Sequence, residues 1–484
     1  MIKQLTLTIL AASVLSACSM APKYTRPDAP VAANYETSSH TANNAQRASE
    51  MGWRSLINDQ RLQVLISKAL VNNRDLRVAA LRIEEARSLY NIQVADQLPN
   101  LNGVATGNRA RAPASLSSTG TSVVGSNYQV GLSLASFELD FFGRVRSLSD
   151  AALASYLATE EAQRSAHITL VSEVAKAYLS ERAYAEQQEL AQRTYETRAA
   201  ALELSKQRFE VGASSGLDLR QDEALTQNAK VAELTLRRQR AQALNALTVL
   251  VGEPLIDLPP AQPLSGQIIR TDLFIGMPSD LLEQRPDIRS AEQTLLAANA
   301  NIGAARAAFF PRISLTAGVG TASNELSGLF EGGSRSWSFA PQLVLPIFEG
   351  GRNIANLNLT EVRKNIAVAN YEKSIQVAFR EVADALVARD LLDEQIEAQR
   401  LATVAQEERY KLADQRFQNG ISSSLDVLDS QRDLFSAQLT LVQARLLRLT
   451  NAVDLYRSLG GGLLETTVAT APAATPTTTT TPAK

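Results

Sequence analysis

The sequence predicts a mainly α-helical fold with a membrane β-barrel, built from two internal repeats. Three observations carry this prediction. The 484 residues include few aromatics (5%) and much alanine, a composition typical of long, closely packed helices. A phrase that begins at residue 208 recurs without a gap at residue 416. Between its helices, each copy carries two segments in which apolar and polar residues alternate, as in half-exposed strands.

The first residues form a targeting signal. Lys3 precedes an apolar stretch, LTLTILAASVL, that is too short for a bilayer span of about 20 residues. Small residues then lead to Cys18, the only cysteine, in a pattern that resembles a bacterial lipobox. We therefore expect residues 1–17 to be removed and Cys18 to be lipidated; the alternative is an ordinary signal peptide with an incidental cysteine. Ser19 replaces the Asp of inner-membrane retention, which predicts an outer-membrane lipoprotein.

Three further segments lie outside the repeats. Residues 18–60 begin with a proline-rich stretch, which is predicted to lie extended on a surface. Residues 253–279 form a second proline-rich stretch and are predicted to link the repeats, which cover 61–252 and 280–460. Residues 461–484 end in Thr, Ala and Pro, and the end of this tail is predicted to be disordered.

The repeat is clearest in RFEVGASSGLDL, which begins at Arg208, and RFQNGISSSLDV, which begins at Arg416. With a shift of 208 residues, twelve of the 45 positions from Arg208 to Gly252 are identical to their counterparts. Each repeat is predicted to contain a helix, two strands, a long helix and a return helix. The predicted helices are 61–96, 145–209, 217–250, 280–308, 353–417 and 425–458, and the strands lie within about 99–142 and 311–350.

The strand segments alternate cleanly. In RISLTAGVG the apolar residues from Ile313 to Val319 face one way, and the Ser, Thr and Gly residues between them face the other. In SWSFAPQLVLPIF the apolar set runs from Trp337 to Ile347. In the first repeat the register slips by one residue, which predicts a bulge or a small insertion or deletion. Four strands cannot close a barrel, since the smallest have about eight, so membrane strands would have to be pooled by an oligomer. The alternative is four surface strands on a soluble helical protein.

Composition also excludes several functions. The 48 basic and 50 acidic residues nearly balance, so the chain has no basic excess for binding nucleic acid. Only two histidines occur, and no cysteine beyond Cys18, which excludes metal sites with His/Cys spacing. Neither a P-loop nor a nucleophile-elbow motif follows a predicted strand. We therefore expect no enzyme activity, no cofactor and no metal.

Long motifs make the sequence resemble the outer-membrane factors of tripartite multidrug efflux pumps, the TolC/OprM family, and its OprM branch in particular. Among these motifs are NNRDLRVAAL, FELDFFGRVRSL, GMPSDLLEQRPDI, ANANIGAARAAFFPRISLTA and LVQARLLRLTNAVDLYRSLGGG, and the resemblance runs from Cys18 to about Gly462. It implies a homotrimer with a 12-stranded β-barrel in the outer membrane and a 12-helix α-barrel through the periplasm. It also implies an equatorial belt built from the N-terminal segment, the linker and the C-terminal residues.

The resemblance further implies a function. Members of this family passively export drugs and other small molecules, and they dock on a periplasmic adaptor protein and an inner-membrane RND transporter. Outer-membrane lipid would surround the barrel, and the lipid on Cys18 would anchor it. The alternatives are a channel for type I protein secretion or metal-ion efflux, and a structural periplasmic lipoprotein without a pore.

The two turn phrases lie farthest from the strands, so they would form the periplasmic mouth. Gly212 and Gly420 suit a helix C-cap with a positive φ. Each return helix then begins with a serine that is followed three residues later by an acid, the pattern of a helix-capping box. The two pairs are Ser215 with Asp218 and Ser423 with Asp426.

Asp429 is the strongest candidate for a gating residue, because it lies one turn beyond the cap and its repeat counterpart is Gln221. By resemblance, the family's constriction has an Asp at the position of Asp429 and a Leu at Leu425, and TolC-like members add an acid at Asp426. Asp218 completes the predicted gate. Neighbouring carboxylates raise one another's pKa, so such a ring is expected to bind cations and respond to pH. The alternative for Asp429 is a solvated surface carboxylate.

The turn residues themselves are predicted to contact a partner. They resemble the short segments that meet the adaptor's hairpin, and the alternative is that they only make a tight turn. TolC-like channels carry an arginine that links helices at the position of Ser422, so a closed-state bridge in this chain would use other partners, with Arg220 and Arg416 as candidates. The predicted contact residues are Val211, Gly212, Ala213, Ser214, Asn419, Gly420, Ile421 and Ser422.

Overall fold

The computed structural model describes residues 20–32, 35, 48–117, 120–270 and 280–467. The signal peptide, Cys18 and the end of the tail therefore lie outside the described residues. The chain divides into two compact units. The first comprises Met1–Asp28, Leu81–Glu160 and Ser290–Lys373 and contains the sheet; the second comprises Ala29–Ala80, Glu161–Arg289 and Ser374–Lys484.

Helices dominate the described residues, and both repeats follow the predicted order of helix, two strands, long helix and return helix. No helix in the described part of the chain combines the length and apolarity needed to cross a membrane. The helices are α1 Trp53–Leu56, α2 Gln60–Asn72, α3 Arg74–Ala95, α4 Arg144–Glu210, α5 Gly216–Val251, α6 Leu281–Gln284, α7 Pro286–Ala307, α8 Arg352–Gln418 and α9 Ser424–Ser458. The strands are β1 Leu101–Ala112, β2 Val123–Leu139, β3 Arg312–Ser323 and β4 Arg335–Val344.

Two helices that the sequence predicts as continuous are broken. The segment 61–96 forms α2 and α3, which are separated at Asn73. The side chain of Asn73 accepts a hydrogen bond from the Leu76 amide (2.9 Å) and donates one to the Leu250 carbonyl (2.8 Å). The segment 280–308 forms α6 and α7, which are separated at Arg285, because the ring of Pro286 disfavours helical geometry in the residue before it.

The first unit contains an antiparallel sheet in the order β1-β2-β3-β4. The predicted bulge is present: the pairing of β2 with β3 shifts between Leu134 and Phe137, and Ser136 adopts a positive φ of 49°. The prediction was wrong at the end of β4, which stops at Val344, so Leu345 and Ile347 lie outside it. Pro346 has no amide hydrogen to continue a strand ladder.

The sheet is amphipathic. Directly opposed residues share a face, and Val319 lies opposite both Leu132 and Trp337. The apolar face is exposed in the single chain, with Trp337 at 80% and Phe339 at 62%. This face comprises Leu101, Leu132, Leu134, Phe137, Leu139, Ile313, Leu315, Ala317, Val319, Trp337, Phe339 and Leu343, and the other carries Gln129, Ser133, Glu138, Ser314, Thr316, Ser336, Ser338 and Gln342.

Glycines allow a close approach of two strands on the polar face. Gly131 of β2 lies opposite Gly320 of β3. A Cβ atom added to Gly131 would overlap the carbonyl oxygen of Val319, and one added to Gly320 would overlap that of Val130. Gly318 lies on the same face, so at these three positions the sheet presents backbone rather than side chains.

The second unit joins segments that are distant in sequence. The Trp53 amide donates to the Leu464 carbonyl (2.9 Å), and the Asn58 amide donates to the Ile268 carbonyl (2.8 Å). The N-terminal segment is therefore hydrogen-bonded both to the C-terminal residues and to the linker. Buried Asp59 caps α2 through the amides of Arg61 and Leu62 and accepts a hydrogen bond from the Tyr178 hydroxyl of α4 (2.7 Å).

We expect Gly131→Ala to destabilise the sheet by about 1–3 kcal/mol per chain, because the added methyl group must displace neighbouring backbone. Gly125→Ala is the matched control on the same strand, since a Cβ at Gly125 has no neighbour within 4 Å. Strand content by circular dichroism and the melting temperature should fall for the first variant only. Equal effects of the two substitutions would contradict the close packing at Gly131.

Candidate functional site

The candidate site consists of the two helical turns and the first residues of α5 and α9, all within the second unit. In the first turn, the Gly212 amide donates to the Phe209 carbonyl (2.9 Å) and the Ala213 amide to the Arg208 carbonyl (2.7 Å). This pair of hydrogen bonds is the Schellman motif that ends many helices, and it requires a left-handed residue, here Gly212 with φ of 73°.

The second turn repeats this arrangement. The Gly420 amide donates to the Phe417 carbonyl (2.9 Å), the Ile421 amide donates to the Arg416 carbonyl (2.8 Å), and Gly420 has φ of 72°. The repeated glycine in the sequence thus marks a position where the backbone needs positive φ.

Both return helices begin with the predicted capping box. The Asp218 amide donates to Ser215 Oγ (3.2 Å), and the Ser215 amide donates to Asp218 Oδ2 (3.2 Å). The Ser423 amide and hydroxyl donate to Asp426 Oδ2 at 3.3 and 3.2 Å. Asp218 and Asp426 therefore satisfy backbone amides that the start of a helix leaves free.

Asp429 does not cap the helix. Its Oδ1 lies 3.1 Å from Nη1 of Arg432, one turn further along α9. Arg432 also contacts Asp433 (3.1 Å), and Asp433 forms an ion pair with Arg409 of α8 (2.7 Å). Hydrogen bonds from Arg409 and Arg432 lower the pKa of Asp433, so its carboxylate stays ionised at neutral pH. We call these four residues the ionic chain; it connects α9 to α8.

The ionic chain exists in the second repeat alone. With the shift of 208 residues, none of its four positions is charged in the first repeat. The counterparts of Arg409, Asp429, Arg432 and Asp433 are Ala201, Gln221, Ala224 and Leu225. The asymmetry that singles out Asp429 in the sequence thus extends to its partners, which sequence reasoning missed. The i,i+3 spacing of Asp429 and Arg432 was the signal that could have found this pair.

The two arginines that are candidates for a closed-state bridge lie beside the turns, Arg220 near the start of α5 and Arg416 in the last turn of α8. Arg220 forms an ion pair with Glu223 on its own helix (2.7 Å). Buried Arg198 connects the two hairpins of the chain: its Nη1 donates to the Leu225 carbonyl of α5 (3.1 Å) and its Nε to Gln431 of α9 (3.2 Å).

Apolar side chains at the turns are exposed. Val211 and Leu217 are 79% and 77% exposed in the first hairpin, and Ile421 and Leu425 are 67% and 49% exposed in the second. Large exposed apolar groups at one end of a helical hairpin are typical of a protein interaction surface. The turn residues predicted to contact an adaptor therefore lie on an accessible, partly apolar surface.

Solved structures with this architecture include an outer-membrane channel. The open-state outer-membrane channel MtrE of Neisseria gonorrhoeae superposes with a TM-score of 0.84 at 42% identity, covering 93% of this chain and 100% of that chain. A membrane protein from Pseudomonas aeruginosa superposes with a TM-score of 0.86 at 48% identity, covering 93% and 98%. The fold and the paired turns thus define an outer-membrane channel.

Relatives in sequence identify the kind of outer-membrane channel. The outer membrane protein OprJ of Pseudomonas aeruginosa is 49% identical over 455 residues, covering 94% of this chain and 95% of the relative. The toluene efflux pump outer membrane protein TtgC of Pseudomonas putida is 45% identical over 472 residues, covering 96% and 97%. Residues 65–253 and 277–461 match the outer membrane efflux protein family, and this chain belongs to that family. It is an outer-membrane channel protein of an efflux pump.

We expect Gly420→Ala to loosen the second turn, because a left-handed conformation costs a residue with a Cβ about 1–2 kcal/mol. Amide hydrogen exchange at 416–426 should accelerate about tenfold. Gly420→Asn is the matched control, since asparagine tolerates this conformation better, and it should exchange almost as slowly as the unmodified protein. Unchanged exchange in the alanine variant would show that the turn does not depend on the glycine.

Proposed function

We propose that three copies of this chain form a passive outer-membrane export channel with an iris-like gate at its periplasmic mouth. The observation that carries the gate is the ionic chain of the second hairpin, which links the start of α9 to α8 and has no counterpart in the first. The observation that supports the oligomer is the sheet, whose apolar face and edges are uncovered in the single chain.

The sheet argument is one of backbone hydrogen bonding. Within the described residues, β1 and β4 each pair on one side only. A lipid-exposed sheet edge cannot persist inside a membrane, because nothing there replaces the missing hydrogen bonds. Three chains would contribute twelve strands, which exceeds the smallest closed barrel of about eight. The exposed apolar face would then contact outer-membrane lipid and the polar face the lumen.

A trimer would also contain three copies of each helix. Each chain supplies two long helices and two return helices, so a trimer would assemble a twelve-helix α-barrel in the periplasm. Its mouth would alternate three first hairpins with three second hairpins. Only the second hairpins carry Asp429, so the predicted gate of Asp429 and Leu425 would have threefold symmetry, with Asp426 and Asp218 capping the helices beside it.

The ionic chain supports a closed mouth in which ion pairs hold the start of α9 against α8. Asp429 pairs with Arg432, and Asp433 ties this segment of α9 to Arg409 of α8. The start of α9 cannot move away from α8 without breaking the ion pair of Asp433 with Arg409. Because Arg432 accompanies each Asp429, the predicted ring would carry less net negative charge than its carboxylates alone provide.

The partners would sit at the two ends. We propose that the exposed turns from Val211 to Ser214 and from Asn419 to Ser422 dock on a periplasmic adaptor, which connects the channel to an inner-membrane RND transporter. A lipid on Cys18 would anchor the chain to the outer membrane. Since one relative is a toluene efflux pump protein, small organic molecules are the proposed cargo.

We expect Asp429→Ala and Arg409→Gln to raise single-channel conductance in planar bilayers severalfold, because the first removes the carboxylate of the predicted ring and the second removes the ion pair between α9 and α8. Gln221→Ala, the same position in the first hairpin, is the matched control and should leave conductance unchanged. Both gate variants should still form trimers that dissociate only on heating.

Two results would count against this function. If no variant conducts, although trimers form, the assembly is not a channel. If the variants conduct like the unmodified protein, the channel exists, but the ionic chain does not gate it.

A further inference from the structure

Charged residues occur on the apolar face of the sheet at one end only. In the four strands, the charged residues of this face are Arg109 and Arg111 of β1 and Arg335 of β4, because side chains alternate between the two faces. All three lie at the strand ends that the β1–β2 and β3–β4 loops join, which we call the loop end of the sheet. The opposite strand ends lead into helices. We call the three residues the arginine rim.

The rim arginines are not neutralised within the chain. All three side chains are exposed. In the part of the chain that the structure describes, no carboxylate lies within 4.0 Å of any of them. Arg111 donates a hydrogen bond to the Ser122 hydroxyl (3.2 Å), and the side chains of Arg109 and Arg335 have no polar partner among the described residues. Their guanidinium groups are therefore available to a ligand.

The loop end of the sheet has an excess of positive charge. Residues 97–137, which include β1 and the loop that follows it, contain neither Asp nor Glu. The β3–β4 loop contains Glu325 and Glu331. Three arginines against two glutamates leave one excess positive charge per chain, so three chains would carry three.

The arginine rim lies at the edge of the apolar band. Arg109 is eight residues from Leu101, and Arg335 is eight residues from Leu343, which lie at the opposite end of the same strands. Eight residues of a strand span about 27 Å, and a strand tilt of about 35–45° reduces this height to about 20 Å. The apolar band of outer-membrane barrels is about 25 Å tall, and arginine side chains extend from its edge toward the headgroups.

Aromatic residues accompany the rim on the same face. Trp337 is two residues from Arg335 along β4 and is 80% exposed. Tyr128 lies opposite Gly107, which is two residues from Arg109 along β1, and a Cβ atom added to Gly107 would lie 3.1 Å from the Tyr128 ring. Trp and Tyr mark the level at which lipid tails meet headgroups in membrane barrels. The arginines are therefore placed at the headgroup level.

We infer that the arginine rim binds the phosphate groups of a lipid of the outer leaflet, whose acyl chains lie on the apolar face beside it. Guanidinium forks match the paired oxygens of a phosphate. Residues two apart on one strand face are about 7 Å from each other, so Arg109 and Arg111 can bind one phosphorylated headgroup together. The apolar face and the rim are continuous, which favours a phosphorylated lipid over a free phosphate.

The inference rests on the proposed trimer, because barrel closure would bring the two parts of the rim together. β1 and β4 are the outer strands of the sheet. A closed barrel of three chains would therefore place β4 of one chain beside β1 of the next. Arg335 of one chain and the Arg109–Arg111 pair of its neighbour would then border the same seam on the outer face. The trimer would offer three such seams, and each would bind one lipid.

Native mass spectrometry of the full-length protein in a neutral detergent tests the inference, because one spectrum reports both the oligomeric state and the number of bound lipids. The probes are diphosphoryl lipid A, phosphatidylcholine as a lipid without net charge, and inorganic pyrophosphate as a phosphate without acyl chains. We expect up to three molecules of diphosphoryl lipid A per trimer, bound at least tenfold more tightly than either other probe. Binding should weaken as the ammonium acetate concentration rises.

Arg109→Gln and Arg335→Gln should each weaken the binding of diphosphoryl lipid A by about tenfold, because a charge-assisted contact with phosphate is lost. Arg363→Gln is the matched control. It removes an exposed arginine of the same unit that lies on α8, away from the sheet, and it should change the binding less than twofold.

The same spectra distinguish this inference from the proposed function. Trimers that bind no diphosphoryl lipid A would overturn the inference and leave the channel intact. Equal binding of phosphatidylcholine would assign the contact to the apolar face alone, and equal binding of pyrophosphate would show that the acyl chains contribute nothing; either result would overturn it. So would unchanged binding by both glutamine variants. Monomers alone would contradict the proposed trimer and, with it, the lipid site at the seam.

Discussion

Among the described residues, β1 and β4 each have one unpaired edge, and these edges impose the constraint on which the rest of the architecture depends. A four-stranded antiparallel sheet with one apolar face cannot satisfy both its backbone and that face within one chain. Further copies satisfy both at once, and each added copy also brings two more helical hairpins. The oligomer proposed for the membrane thereby determines how many hairpins meet at the mouth. The first and second hairpins of a chain can differ in charge without altering how the strands pair.

The charged residues that distinguish the two hairpins lie in the second repeat. Its turn has the same Schellman motif and capping box as the first. In both turns a glycine adopts the left-handed conformation, and a serine–aspartate pair binds backbone amides at the start of the return helix. Its charges are arranged differently. Arg409, Arg432 and Asp433 add an ionic chain where the first repeat has neutral residues, and Leu441 takes the place of a buried glutamate. The second repeat thus carries an additional set of paired charges beside the proposed gate.

Local patterns in the sequence predict much of this fold. The long helices, the strand faces, the bulge near Ser136 and both turns follow from periodicity, glycine and capping residues. The predictions fail or are incomplete where a distant residue decides the outcome. The break at Asn73 depends on a hydrogen bond to Leu250, and the ionic chain depends on Arg409, which lies on another helix. No local pattern around Asn73 or Asp433 contains these partners.

The facing glycines of β2 and β3 have a consequence for the selectivity of the conduit. At Gly131, Gly318 and Gly320 the polar face presents peptide groups without side chains. In the proposed barrel, a solute at this level would meet an uncharged wall of peptide groups and serine hydroxyls from Ser133, Ser336 and Ser338. Such a wall carries no charge that would attract or repel ionised solutes. Selectivity among cargoes is then determined at the periplasmic end, where cargo enters the channel.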